Sequence, residues 1–431
     1  MKHLRKIWSL SITMLISSTL YAQNAPFHAV VATDNSGDYA KVQEAIDAAP
    51  ENRTEPWIIF VKNGSYREHV VIPRNKPFIH LIGQDKEKTI IHHNLNVGGA
   101  PNEKTKDATY WAHSVHNPQA EVHKYEGSVV KVKSTDFYTE NISYINDWGV
   151  EAQAGPQALA MNSSGDRASF KNCIFRSFQD TWMTTTQDTA RHYVKDCYIE
   201  GAVDYFYGGG DVLLENCTLY NVRRGSVIVA PCHKDAKYGY ILRDCIVDGN
   251  KAAAKDSRTT LGRPWHNAPR TIYINTRLMI PINPIGWSLM GTVPAIFAEY
   301  NSVDKEGNLV DLSKRRSEYV GRGENASKGS CPTTITKDEA DKLTYENVIL
   351  NNGNTWNPRE IMAQLPAPKG LKVKGNKVSW KRVKGATGYI VLAGDNVIDI
   401  TTKCKADIEP GTTAIQVRAV SKYGALGAIA K

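Results

Sequence analysis

The sequence predicts an all-β chain, a parallel β-solenoid followed by a small antiparallel β-sandwich. Three observations carry this reading. First, a short pattern recurs: Asn172-Cys173, Asp196-Cys197, Asn216-Cys217 and Asp244-Cys245 are each followed by apolar residues, and Glu140-Asn141-Ile142 begins the series. The intervals along this ladder are 31, 24, 20 and 28 residues, which suits one coil of a solenoid with loops of variable length. Second, residues 128 to 282 hold many short β-branched stretches and no long helical pattern, with few of the Asn-Gly or Asp-Gly turns that a sandwich needs. Third, composition shifts at Leu365-Pro366-Ala367-Pro368, after which the segments alternate as half-buried antiparallel strands.

The elements follow in order. Residues 1–22 read as a signal peptide: Lys2, Arg5 and Lys6 form a basic start, Ile7 to Leu20 is apolar, and Tyr21-Ala22 ends it before Gln23. Export to the periplasm or the extracellular space is expected, and no membrane span, since no stretch is long enough. Loss of the leader lowers the formal charge from +9 to +6. A mildly basic surface is ordinarily just solvated, and nothing points to nucleic acid. Seven cysteines, four of them in the ladder, suggest buried thiols rather than a disulfide framework or a zinc site.

Residues 23–365 form the expected solenoid domain. Ala29 to Ala32 is a short strand. Val42, Ala45, Ile46 and Ala49 recur at helical spacing and predict one amphipathic helix capping the first coil. Strands are expected at Trp57–Val61, His69–Ile72 and Phe78–Ile82, with turns at Gly64, Pro73 and Gly83. Asn94 to Lys124 is polar and reads as a long rim loop whose histidines are solvated rather than metal ligands. Residues 366–431 form the expected sandwich, and Val378-Ser379-Trp380, Gly388-Tyr389 and Val417-Arg418-Ala419-Val420 resemble fibronectin type III modules. A spacer is the expected role for it. The chain is expected to be a monomer.

Chemistry concentrates between the ladder positions. Gly155-Pro156-Gln157-Ala158, Phe178-Gln179-Asp180-Thr181-Trp182, Gly201-Ala202-Val203-Asp204-Tyr205-Phe206-Tyr207-Gly208 and Leu261-Gly262-Arg263-Pro264-Trp265 are rich in functional groups. Asp180 and Asp204 each lie seven residues after a ladder cysteine, so successive coils should stack them, with Gln157 in the same column. Two carboxyls sharing a site cannot ionise equally easily. Asp204 near a guanidinium such as Arg263 would stay ionised and attack a carbonyl, while Asp180 would stay protonated as an acid. Gln157 and Gln179 could donate to an oxyanion. Trp182, Tyr205, Tyr207 and Trp265 offer flat faces for sugar rings.

These segments, with Gly64-Ser65-Tyr66-Arg67-Glu68 and Phe297-Ala298-Glu299-Tyr300, resemble the ordered motifs of pectin methylesterases over residues 28 to 360. The resemblance implies a right-handed parallel β-helix that removes methyl groups from galacturonate esters in pectin, without metal or other cofactor. It implies Asp204 as nucleophile, Asp180 as acid then base, Gln157 and Gln179 as oxyanion donors, Arg263 as the residue orienting Asp204, and Trp265 as a platform. The chain departs from the pattern at Trp182, where leucine is usual, and at Ala202, Tyr205 and Tyr207, where Thr, Phe and Phe are usual. A second Gln187-Asp188-Thr189 competes with Gln179-Asp180-Thr181, but only Asp180 keeps the seven-residue offset. Glu68 and Tyr66 are expected to stabilise the first coils, and Cys232 to be an ordinary packed thiol. Two rivals stand beside this reading: glycosidic cleavage by a solenoid pectinase, and a non-catalytic polysaccharide-binding solenoid.

Overall fold

The computed structural model describes residues 25–97, 109–110, 127–322, 327–350 and 355–430; the leader at 1–22 and most of the 94–124 loop lie outside the described residues. Three long sheets wrap the chain into a parallel β-helix. Ten strands run from Ala29–Val31 to Ile296–Tyr300 (sheet A), nine from Gly64–Arg67 to Val303–Asp304 (sheet B) and seven from Val70–Ile72 to Thr260–Gly262 (sheet C). Every pairing within these sheets is parallel.

The ladder forms the turn from sheet A to sheet B. Asn141, Asn172, Asp196, Asn216 and Asp244 all adopt left-handed backbone, φ 49° to 58°, a conformation Asn and Asp accept more readily than other side-chain-bearing residues. Their side chains link in pairs down the stack: Asn172 donates to Asn141 at 2.7 Å, Asn216 to Asp196 at 2.6 Å and Asn275 to Asp244 at 2.9 Å. The following cysteines point inward and are buried, and their thiols donate to backbone carbonyls. Asn275 and Asn301 continue the ladder for two more coils, with Thr276 and Ser302 in place of cysteine.

The helix Val42–Asp47 covers the first coil as expected, with Val42, Ala45 and Ile46 buried. Glu68 accepts the backbone N–H groups of Val42 and Gln43, which satisfies two open donors at its N-terminus. Tyr66 is buried with its hydroxyl on the Lys62 carbonyl. Gly64 starts the strand Gly64–Arg67 instead of marking a turn; its N–H donates to the Lys88 carbonyl of the next coil.

The C-terminal strands make an antiparallel sandwich of three (Lys372–Lys374, Lys377–Ser379, Lys405–Asp407) against four (Gly388–Ala393, Asn396–Thr401, Ile415–Val420, Leu426–Ala430), around Val378, Trp380, Tyr389, Val391 and Val417. It is not a detached spacer. Ile390, Leu392, Val420 and Leu426 pack onto Ile58, Phe60, Ile82 and Tyr138 from the outward face of sheet A. The Leu426 N–H donates at 2.8 Å to Glu140, a carboxyl with no exposed surface.

Candidate active site

Four loops and strand ends meet on the outward side of sheet C. Gln157, Gln179, Asp180, Asp204, Tyr207, Ala230, Arg263, Trp265 and Met290 line one cleft of about 200 Å³. Asp180 and Asp204 stand level on adjacent windings. Gln179 bridges Val203 in parallel register, and the strand partners Trp182–Phe206 and Met183–Tyr207 keep the same 24-residue offset. Both carboxyl residues have left-handed backbone, φ 60° and 48°, which turns the chain into sheet C. Each is 6 % exposed, so the pair forms a floor rather than a rim.

The expected single column is one residue out of step on the winding before. The Ala158 N–H donates to the Gln179 carbonyl just as the Asp180 N–H donates to the Val203 carbonyl. Ala158 therefore stands level with Asp180, and Gln157 with Gln179. The two amides form their own row beside the two carboxyls.

Arg263 reaches Asp204 from two windings away. Its Nε and Nη2 contact the two carboxylate oxygens at 2.8 and 2.6 Å, a bidentate pair. Ala230 occupies the winding between, pairing with Tyr207, and its small side chain leaves the guanidinium room to cross. Burial, followed by the adjacent Asp204 charge, pushes Asp180 well above the ordinary carboxylate range; the Arg263 charge opposes this. Burial also raises Asp204, but there the Arg263 bonds and charge, and the more distant Arg223, hold it back. Asp204 is thus the carboxyl that ionises first, and Asp180 the one that keeps its proton.

Two aromatic assignments are corrected, and a third is narrowed. Trp182 points into the helix interior, its ring 4.1 Å from Phe175 and its Nε1–H on Ser163 Oγ at 2.9 Å. Tyr205 is fully buried with its hydroxyl on Asn221. A register shift between Val203 and Phe206 turns Tyr205 and Phe206 both inward, and Trp182 stands in the interior column between Met161 and Phe206, so neither Trp182 nor Tyr205 offers a face to a sugar. Tyr207 does line the cleft, but its ring is covered by Leu159, Met183, Ala230 and the edge of Trp265. Trp265 remains partly open at the cleft.

Outside the cleft, Asp188 accepts the backbone N–H groups of Lys234 and Asp235 as a turn-former. The Cys232 thiol is buried and pushed up to about 12 by that burial, as befits a packed thiol. Sequence reasoning missed Met290, and it missed Arg223, which lies over the Phe178 ring and acts electrostatically on Asp204. Both sit on irregular segments where no periodic signal marks them.

The β-helix thus carries an open cleft floored by two unequal carboxyls and edged by amides. The Pectinesterase family pattern matches residues 28–328, and the chain belongs to that family of carboxylic ester hydrolases. It is 30 % identical over 367 residues to a pectinesterase of Petunia integrifolia, covering 82 % of this chain and 86 % of that one. It is 33 % identical over 276 residues to pectinesterase 31 of Arabidopsis thaliana, covering 63 % and 80 %. Among solved structures, a pectin methylesterase from carrot superposes with a TM-score of 0.60 at 23 % identity, covering 76 % of this chain and 95 % of the other. One from Erwinia chrysanthemi gives 0.58 at 22 % identity, covering 77 % and 98 %. These two likenesses establish the β-helix.

Proposed function

We propose that the protein hydrolyses the methyl esters of galacturonate in pectin, with Asp204 as nucleophile and Asp180 as general acid and then base. The observation that carries this is the asymmetry of the stacked pair: one carboxyl is gripped by a guanidinium and its neighbour is not. Asp204 attacks the ester carbonyl carbon. The amides of Gln157 and Gln179 donate to the oxyanion, each worth about 2.7–4 kcal/mol in the transition state. The carbon–methoxy bond breaks, Asp180 gives its proton to the departing oxygen, and methanol leaves behind an anhydride between Asp204 and the sugar acid. Asp180, now a carboxylate, takes a proton from water, and the hydroxide attacks the sugar acyl carbon. Asp204 departs as carboxylate, and Asp180 is again protonated.

Trp265 serves as the platform for a neighbouring sugar ring. The partner is methylated homogalacturonan, met outside the cytoplasm after removal of residues 1–22. Among the described residues no helix is long and apolar enough to cross a membrane. The C-terminal module, residues 366–431, is read as fibronectin type III-like, supported by its strand order of 1-2-5 facing 4-3-6-7.

The test is methanol release from highly methylated pectin. Asp204→Asn should lose it by roughly a thousandfold or more while the protein remains folded. The wild-type protein should release methanol without generating new reducing ends. Undiminished release by the variant would remove Asp204 from the mechanism, and reducing ends without methanol would favour glycosidic cleavage.

A further inference from the structure

We propose that Ser65, His92 and Asp147 form a second nucleophilic site, separate from the carboxyl pair, which hydrolyses esters of small apolar acids. The three side chains lie on neighbouring strands of sheet B, not on sheet C. Ser65 belongs to the edge strand Gly64–Arg67 and His92 to the strand Thr89–His93, while Asp147 opens the helix Asp147–Ala152 directly after the strand Ser143–Asn146. Tyr66, Ile91 and Tyr144 fill the interior of the β-helix, so the alternation along each strand turns Ser65 and His92 outward. Ser65 Oγ stands 2.9 Å from His92 Nε2, and His92 Nδ1 stands 2.7 Å from Asp147 Oδ2. The ring proton is assigned to Nδ1, because a carboxylate can only accept; Nε2 of the neutral ring then accepts the serine O–H. A hydroxyl, a base and a carboxylate that orients the base thus stand in one hydrogen-bonded line.

A groove lies beside the line. It measures about 390 Å³ and is lined in part by Ile90, Ile145, Ile174 and Tyr198. Ile90 pairs in register with Ser65, and Ile145 with His92, so the groove begins next to the nucleophile and offers an apolar bed for an acyl chain. Ser65 is exposed, whereas the side chains of His92 and Asp147 are 21 % and 24 % exposed, so the hydroxyl is reachable and its base is sheltered. Arg67, exposed on the same strand two residues beyond Ser65, is the donor offered to an oxyanion. In the proposed step Ser65 Oγ attacks the ester carbonyl carbon while its proton passes to His92 Nε2. The carbon–alkoxy bond breaks, and His92 gives that proton to the leaving alcohol. Water then attacks the acyl carbon and yields a proton to His92; the acid departs and Ser65 takes the proton back. Asp147 is the positioning residue, holding the ring and its tautomer.

The experiment treats the full chain carrying Asp204→Asn with an alkyl fluorophosphonate, and separately with p-nitrophenyl butyrate. The fluorophosphonate should bond to Ser65 with loss of fluoride, at a site that peptide mass analysis locates. His92→Gln should slow this labelling by roughly a hundredfold or more, and Asp147→Asn likewise, with the rate partly restored in Asp147→Glu. Should His92→Gln fail to fold, the Asp147 pair carries the same comparison. Ser65→Ala should abolish the labelling and remove the release of p-nitrophenol. The same substitution in the chain that keeps Asp204 should leave methanol release from pectin unchanged, which sets this site apart from the carboxyl pair. No adduct at Ser65, labelling that is as fast without the Asp147 carboxylate, or butyrate hydrolysis undiminished in Ser65→Ala would each overturn the proposal.

Discussion

Asp180 is buried where its own charge is unwelcome, and stability registers this. Its carboxyl is raised well above its ordinary value of 3.8 by burial first and by Asp204 second. A raised folded-state pKa contributes stability that is complete below the unfolded value and lost as pH climbs through the folded one. Asp180→Asn should therefore melt higher than the wild type at pH 8, and at nearly the same temperature near pH 4. Thermal melts at the two values check this; equal stability at pH 8 would mean the carboxyl is not strained by its setting. At this scale the sequence was informative in an uneven way. The cysteine offset distinguished Asp180 from Asp188, because register in a solenoid is counted from the ladder. The side on which Tyr205 falls was not legible, because its inward facing depends on a register shift that leaves no mark in composition.

The ladder turn is the element that holds the windings in step. Each of its residues sits in left-handed backbone, and each side chain ties one coil to the next. Asn216→Ala should cost about 1–3 kcal/mol, combining the left-handed penalty of an alanine with a lost side-chain bond. Asn216→Gly should cost less, since glycine accepts the turn. Denaturant unfolding of the two variants measures the difference, and equal costs would show that the amide link alone matters. The pattern was readable from Asn141 to Asp244 because cysteine marked it. It was overlooked at Asn275 and Asn301 because Thr276 and Ser302 carry the inward position there. The same turn geometry, not the cysteine, is the invariant feature.

Across the whole molecule, the sandwich and the β-helix share a buried face. Trp57 to Val61 is buried at every position, which in sequence is an unbroken apolar run covered on both sides. That run held the clue that something packs on sheet A, but it could not say what, because each partner's pattern is complete in itself. The cleft, by contrast, is built from residues 157 to 290, and it depends on windings being stacked in register rather than on the sandwich. In the proposed reaction a carboxylate oxygen of Asp204 becomes bonded to the acyl carbon of the sugar acid. Hydroxylamine added during turnover of methylated pectin attacks an aspartyl anhydride and leaves a hydroxamate, which peptide mass analysis locates. We expect the modification at Asp204, dependent on substrate and absent in Asp204→Asn. Full turnover with no modified peptide, or modification at Asp180 instead, would contradict it.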